Sequence, residues 1–384
     1  MREPRSATDS ERARRYHRLQ LRLSVLGLAL SAAYLVALIA TGAAAALGAA
    51  LGALTPHPWL QLAIALAVLG GAHRLLTAPL AWVSGFWLPR RFGLLHQPLA
   101  RWLGDQAKAA ALGGALGLIA AEVVYALLRA TPWWWLWSAL ALLAASALLT
   151  LVAPVWLVPL FHRLTPLPDG ELRQRLVRLG ERLGVPVLGV WIADQSRKSR
   201  TANAAVTGLG RTRRIILFDT LAGGFTPDEV EAVLAHELAH HLHGDVWRGL
   251  GVQAVITLGV LWTADHALRA AGAALGLAGP ADLAGLPLFG LILMAAGLVA
   301  LPLGNGWSRR VERQADDFAL GATRNLGAFV QAMERLAALN LAERDPHPVK
   351  EFFLYSHPSI GRRVARARQG ALALAPTPPS PGPV

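Results

Sequence analysis

A series of long apolar runs constrains this chain more than any other feature. The runs lie at about 23–53, 59–87, 108–130, 134–161, 249–271 and 284–305, and each reaches the roughly 20 residues that a membrane-crossing helix needs. Hydrophobic residues make up 54% of the chain and charged residues only 16%, far from the average of a soluble domain. The sequence therefore predicts a mainly α, polytopic integral-membrane helical bundle of about six spans.

The basic residues lie beside these runs, and the formal net charge is +13. Lipid headgroups and orientation signals account for that charge, so the lipid bilayer is a predicted partner and nucleic acid is not. Arginine is concentrated in the N-terminal arm and in the connections at 89–108, 162–248 and 307–370. By the positive-inside rule, both termini and an active site in these segments face the cytoplasm, across the inner membrane if the cell is bacterial.

Six parts are predicted along the chain. They are a basic cytosolic arm (1–20), four transmembrane helices (21–163), a cytosolic portion (164–248), two transmembrane helices (249–305), a C-terminal catalytic segment (306–370) and a disordered proline-rich tail (371–384). The cytosolic portion is predicted to be a small α+β region. It combines a polar helix near 170–184 with short strands in "VLGVWIA", "ANAAVTGLG" and "RRIILFDT".

The stretch "FTPDEVEAVLAHELAHHLHGD" is predicted to form a helix that begins after Thr226. Thr226 is a suitable N-cap and Glu229, three residues later, completes a capping box. At 3.6 residues per turn, His236 and His240 then lie on one helical face and can bind one metal ion. The chain has no cysteine, so histidine and carboxylate must hold any metal.

This motif predicts a zinc ion, one per chain. Catalytic zinc takes three protein ligands and leaves one position for water, whose pKa falls to about 7. Glu237, beside the first ligand, can accept the proton of that water as it attacks a peptide carbonyl. The motif therefore predicts a zinc metalloendopeptidase.

A third ligand is available in "NGWSRRVERQADDFAL". Glu312 and Asp316 are four residues apart and share a helical face. Glu312 can complete the zinc site, while Asp316 can hold the free ring nitrogen of a ligand histidine. In isolation this pattern is also typical of a charged, solvated helix.

The chain resembles the zinc-dependent CAAX prenyl endopeptidases, which are membrane metalloproteases of the gluzincin type. The similar segments include "RFGLLHQPLARWLGDQAK", "VPLFHRLTPLPDGEL", "TANAAVTGLGRTRRIILFDTL", "SRRVERQADDFA" and "YSHPSIGRRV". Their order and spacing agree from about residue 60 to residue 366. The resemblance implies cleavage after a prenylated cysteine, with peptide or lipid-tethered prenylated protein as substrate. A bias toward alanine, arginine and leucine indicates a GC-rich, bacterial source.

The resemblance also implies roles for individual residues. It places zinc on His236, His240 and Glu312, with Glu237 as base. Asn203 and Ala204 are implied to lie on a sheet edge where substrate pairs as an added strand. His357 and Arg363 match residues expected opposite the scissile bond, as an oxyanion partner and its support; a turn histidine and a headgroup contact are the alternatives.

The chain departs from the family pattern in three places. An additional N-terminal span of the eukaryotic members is not evident, so six spans are expected rather than seven. Ala205 replaces the aromatic residue that usually follows Asn-Ala. His241 and His243 match no family ligand and are interpreted as polar helix residues that point away from the metal.

Two other functions are consistent with the sequence. An HtpX-like quality-control protease shares the zinc chemistry but degrades misfolded membrane proteins. The "LTPLPDG" and "RFGLLHQ" segments favour the CAAX type over this alternative. The second alternative function is a transporter or scaffold with a non-catalytic metal site. The presence of Glu237 disfavours this alternative, because a structural metal site needs no base beside its ligand.

Overall fold

The computed structural model describes residues 7–208 and 213–374. Its α-helices in chain order are α1 (Ala7–Ala40), α2 (Ala43–Leu54), α3 (Pro58–Trp82), α4 (Leu88–Arg91), α5 (Leu99–Ala130), α6 (Trp134–Val152), α7 (Val158–Phe161), α8 (Glu171–Arg182), α9 (Asp219–Gly224), α10 (Pro227–Leu242), α11 (Asp245–Ala274), α12 (Leu286–Thr323), α13 (Leu326–Leu339), α14 (Pro348–Leu354) and α15 (Ile360–Leu374). The start of the predicted basic arm, residues 209–212 between the last two predicted strands, and the proline-rich tail from residue 375 lie outside the described residues.

The described residues form two compact units. The first, here called the helical unit, comprises Arg15–Leu157 and Trp247–Gly304. The second, here called the sheet unit, contains Val158–Val246 and the segment from Asn305 onward, together with the N-terminal residues up to Arg14. The division follows the composition, because the long apolar runs fall in the helical unit.

The helical unit carries the predicted membrane spans. Within the described residues, six helices are long and apolar enough to cross a bilayer: Ser10–Ala40, Pro58–Arg91, Leu99–Ala130, Trp134–Val152, Asp245–Ala274 and Leu283–Thr323. The predicted number is confirmed for this part of the chain, but the predicted first span over 23–53 is wrong. Gly42 adopts a left-handed φ of 68° and ends the first helix, so α2 is a separate helix of 12 residues. At about 1.5 Å per residue, α2 is too short to cross the roughly 30 Å of hydrocarbon.

The sheet unit contains strands β1 (Leu164–Pro166), β2 (Val190–Ala193), β3 (Ala204–Thr207) and β4 (Arg214–Phe218). In the described residues they form one four-stranded sheet in the order β1-β2-β4-β3. β2 pairs in parallel with β4, while β1 and β3 are antiparallel to their neighbours. The three predicted strands are confirmed, and β3 lies at an edge of the sheet.

Helix α10 lies at the centre of the sheet unit. Thr226 and Glu229 form the predicted capping box, with Glu229 Oε2 accepting a hydrogen bond of 2.7 Å from the Thr226 N–H. Leu234 and Leu238 are fully buried in one core with β4 and α13. Burial of each leucine side chain stabilises the folded state by roughly 1.5–3 kcal/mol. This packing holds in place the helix that carries the two predicted histidine ligands.

Candidate metal centre

Three predicted ligand side chains converge in the sheet unit. His236 and His240 come from α10, and Glu312 comes from α12. The two Nε2 atoms are 3.3 Å apart, and Glu312 Oε2 is 3.3 Å from His236 Nε2. Glu312 Oε1 lies 3.6 Å from His240 Nε2. A tetrahedral ion with bonds of about 2.0–2.1 Å separates its ligand atoms by about 3.3–3.4 Å, so the geometry fits zinc.

The environment of Glu312 also fits a metal ion. Its side chain is buried, and Oε2 accepts no hydrogen bond of normal geometry from any residue that the structure describes. A charge-assisted N–H···O bond is usually about 2.7–2.9 Å long, shorter than the 3.3 Å from Oε2 to His236 Nε2. Since a buried oxygen without a partner costs free energy, a cation between these atoms would stabilise it.

Both histidines are oriented by carboxylates behind them. Asp316 Oδ1 lies 3.0 Å from His236 Nδ1, the contact proposed from the sequence. Asp245 Oδ2 lies 3.0 Å from His240 Nδ1. With each Nδ1 engaged, the Nε2 lone pairs are directed at the common centre. Burial alone lowers the pKa of His236, but the carboxylates of Asp316 and Glu312 raise it to about 9.

Sequence reasoning missed Asp245. It does not lie on the metal-binding face of α10, because that helix ends at Leu242. Gly244 adopts a φ of 66°, a left-handed conformation that favours glycine, and the chain turns there. The next residue is thereby returned to His240. A glycine followed by a carboxylate just after the motif is the signal that could have identified it.

Replacing Asp245 by asparagine is expected to weaken zinc binding by about 10- to 100-fold, because His240 loses the charge that orients its ring and raises its basicity. Competition with a chromophoric chelator measures this affinity on the purified protein. Asp228→Asn is the matched control, since Asp228 is an exposed carboxylate at the opposite end of α10. Equal affinities in the two variants would contradict the assigned role of Asp245.

Arg363 lies behind the ligands. Its Nε and Nη2 donate to the two oxygens of Asp316 at 2.8 and 2.5 Å, and Nη2 lies 3.5 Å from His236 Nδ1. Burial lowers the pKa of Arg363, but Asp316 more than compensates, so the net direction is upward. The bidentate pair holds Asp316 against His236.

His357 is at the exposed side of the cluster. Its Nε2 lies 3.3 Å from Glu312 Oε1, and 58% of the side chain is exposed. Burial of the remainder lowers the pKa of His357, and Glu312 opposes that shift.

Arg309, which the sequence analysis did not identify, anchors the chain before His357. Its Nη1 donates to the carbonyls of Glu351, Phe352 and Tyr355 at the end of α14. Arg309 therefore anchors the segment that leads to His357.

Glu237 lies next to the first ligand on α10 and is half-buried. Burial raises the pKa of its carboxyl group, and the adjacent His236 and His240 lower it by a smaller amount. A carboxylate with a raised pKa is suited to accept a proton at neutral pH.

Ala204 is the first residue of the edge strand β3, and Asn203 directly precedes it. Asn203 Oδ1 accepts a 2.9 Å hydrogen bond from the Ala204 N–H. Asn340, which sequence reasoning did not identify, anchors the preceding Ala202: its Oδ1 accepts from the Ala202 N–H at 3.0 Å and its Nδ2 donates to the Ala202 carbonyl at 3.2 Å. The edge strand is therefore fixed at its start.

The other two histidines of the motif turn away from the ligands, as interpreted from the sequence. His241 Nε2 contacts the Val206 carbonyl at 2.9 Å, and the His243 ring packs edge-on against Phe318. Neither belongs to the group of metal-ligating side chains that the described residues form.

Comparison with known proteins identifies two matching family profiles. Residues 166–371 match "Peptidase family M48", and residues 2–163 match "CAAX prenyl protease N-terminal, five membrane helices". Within residues 2–163, the described part of the chain holds four candidate spans and the shorter apolar helix α2. Helix α2 is thus a fifth apolar helix of this region.

Individual relatives agree with these matches. The uncharacterised metalloprotease YhfN of Bacillus subtilis (strain 168) is 29% identical over 322 residues, which are 83% of this chain and 75% of that protein. The CAAX prenyl protease 1 homologue of Arabidopsis thaliana is 31% identical over 298 residues, 74% of this chain and 68% of the relative. The crystal structure of S. mikatae Ste24p matches with a TM-score of 0.80 at 25% identity and covers 94% of this chain and 89% of that one.

The profile matches extend over most of the described chain, and the fold agrees with that of a solved relative over nearly its whole length. The resemblance found in the sequence is therefore confirmed. The chain belongs to peptidase family M48 and is an integral-membrane metalloprotease of the CAAX prenyl protease type.

Proposed function

We propose that this protein is a zinc endopeptidase that removes C-terminal residues after a prenylated cysteine. The observation that carries the proposal is the triangle of His236 Nε2, His240 Nε2 and Glu312 oxygens, with separations of 3.3–3.6 Å. Glu237 follows the first ligand directly in the chain. Relatives named CAAX prenyl protease 1 support the choice of substrate.

In this proposal zinc, when bound, supplies a Lewis acid that lowers the pKa of water to about 7. Glu237 accepts a proton from the attacking water as the carbon–oxygen bond forms. It then delivers that proton to the amine nitrogen as the peptide bond breaks. Arg363 holds Asp316 and thereby His236, so its contribution is to positioning.

His357 is proposed to assist on the exposed side of the ligands. Its ring is mostly accessible, and its Nε2 lies close to the Glu312 carboxylate. An imidazole N–H at this position can donate to the oxyanion that develops on the substrate carbonyl. The anchoring of the end of α14 by Arg309 limits the movement of this ring.

The substrate is proposed to bind as a strand added to the free edge of β3, beginning at Asn203 and Ala204. Backbone hydrogen bonds then supply affinity with little demand on side-chain sequence. We also propose that this site and both termini face the cytoplasm, because the arginine-rich segments lie on that side by the positive-inside rule.

A side-by-side peptide assay tests the proposal. Purified protein is expected to cleave a farnesylated Cys-a-a-X peptide at least about tenfold more efficiently than its unprenylated counterpart, because burying even two methylene groups contributes roughly 1.6 kcal/mol. The measurement is kcat/KM for both peptides under one detergent condition. Equal cleavage would favour general membrane proteolysis of the HtpX-like type. Cleavage of neither peptide by zinc-loaded protein would favour a non-catalytic metal site.

A further inference from the structure

The free edge of β3 presents few backbone groups. The backbone carbonyl of Asn203 accepts a hydrogen bond from the Phe218 N–H at 3.0 Å. In the antiparallel register, Ala204 lies opposite Leu217 and Val206 lies opposite Ile215. In an antiparallel ladder, backbone groups of alternate residues point toward the partner strand and away from it. The N–H and C=O groups of Ala204 and Val206 therefore point away from β4, toward the edge where a peptide would pair.

Among the described residues, two of these four groups have partners. The Ala204 N–H donates to Asn203 Oδ1 at 2.9 Å, and the Val206 carbonyl lies 2.9 Å from His241 Nε2. Since a carbonyl only accepts, His241 Nε2 carries the proton of this bond. The Ala204 carbonyl and the Val206 N–H lie between the two occupied groups. They can form one pair of hydrogen bonds with an incoming strand.

The position of His241 follows from the helix that binds the metal. Adjacent residues of an α-helix point about 100° apart, so one turn of α10 directs His240 to the metal and His241 to the strand. His241 is half-buried between the helix and the edge of the sheet. The same turn thus connects the metal ligand and the end of the open edge.

We propose that His241 is a specificity-determining residue that caps the edge strand at Val206 and limits the length of peptide that can pair with it. A bound peptide makes backbone hydrogen bonds only to the Ala204 carbonyl and the Val206 N–H. A further peptide residue beyond that pair cannot donate to the Val206 carbonyl, because His241 already donates to it. Extending the peptide on that side therefore adds no binding affinity. This inference rests on the proposed peptidase function and adds a limit on substrate length.

A peptide-length series tests the cap. Peptides are extended one residue at a time on each side of the scissile bond, and kcat and KM are measured for the wild type, His241→Ala and His241→Gln. In the wild type, kcat/KM is expected to reach a plateau. In His241→Ala, one further residue on one side raises kcat/KM about 2- to 10-fold through KM, as expected for one additional hydrogen bond. His241→Gln keeps an N–H donor and retains the plateau.

Two features of the design separate the cap from a general loss of structure. The readout is the ratio of kcat/KM for longer peptides to kcat/KM for shorter peptides within each variant. A uniform loss of activity therefore cancels in this ratio. Methylation of the added residue's backbone nitrogen must abolish the gain in His241→Ala and leave the wild type unchanged. An unchanged plateau in active His241→Ala would overturn the cap alone. A zinc-loaded wild type that cleaves no peptide would overturn the peptidase function and the cap together.

Discussion

Replacing Glu237 by glutamine is expected to lower kcat by about 10²- to 10⁴-fold while the protein still binds one zinc ion per chain. Glutamine keeps the size and polarity of the side chain but cannot accept a proton from the attacking water. The ligand atoms belong to His236, His240 and Glu312, so metal binding does not depend on this carboxylate. Single-turnover cleavage of a farnesylated peptide, with zinc content measured on the same sample, provides the test.

The control for this experiment is a carboxylate at the other end of the same helix. Asp228→Asn changes an exposed group near the start of α10 and is expected to alter kcat by less than about twofold. If Glu237→Gln lost its zinc ion, the role assigned to Glu237 would be metal binding rather than proton transfer. Full activity with zinc bound would exclude Glu237 as the general base.

Replacing Glu312 by alanine is expected to remove zinc and activity together. The loss of metal affinity should exceed the roughly 10- to 100-fold typical of an outer partner such as Asp245, because a direct ligand is lost. The substitution also leaves His236 and His240 without the acidic partner that Glu312 supplies within 3.6 Å. Zinc stoichiometry after dialysis and the zinc concentration that restores half of the activity are the measurements.

Asp317→Asn is the matched control on the same helix. Asp317 is about half exposed and pairs with Arg366, away from the ligand atoms. This variant should retain one zinc ion and wild-type activity. If Glu312→Ala bound zinc as tightly as Asp317→Asn, the third ligand would have to be another residue.

Much of the fold could be predicted from local patterns. Apolar length predicts membrane-crossing helices, because the thickness of the bilayer sets the required number of residues. The first run, 23–53, was nevertheless predicted as one span, whereas the structure divides it into two helices. One left-handed glycine, Gly42, separates two helices within one continuous apolar run, and hydropathy does not detect such a turn.

The candidate site was predictable where helix periodicity alone fixes the geometry. The spacing of His236 and His240 places both rings on one face of α10, and the capping box at Thr226 marks where that helix begins. Glu312 was identified by resemblance and by its partner Asp316 one turn later, since its distance in sequence from α10 carries no geometric information. The three-dimensional structure brings the three side chains together.

The sequence by itself determined the local elements of this protein. These are the apolar helices, the helix with His236, His240 and the adjacent base Glu237, and the helix with the carboxylate of Glu312. Apart from Asp316, which the sequence also indicated, the tertiary structure alone decided which side chains support them. Asp245 reaches His240 through the turn at Gly244, Arg309 anchors the segment before His357, and His241 meets the edge strand at Val206. These contacts join elements that are distant in sequence or separated by a turn. Their distances depend on how helices and sheet pack, and no local periodicity encodes that packing.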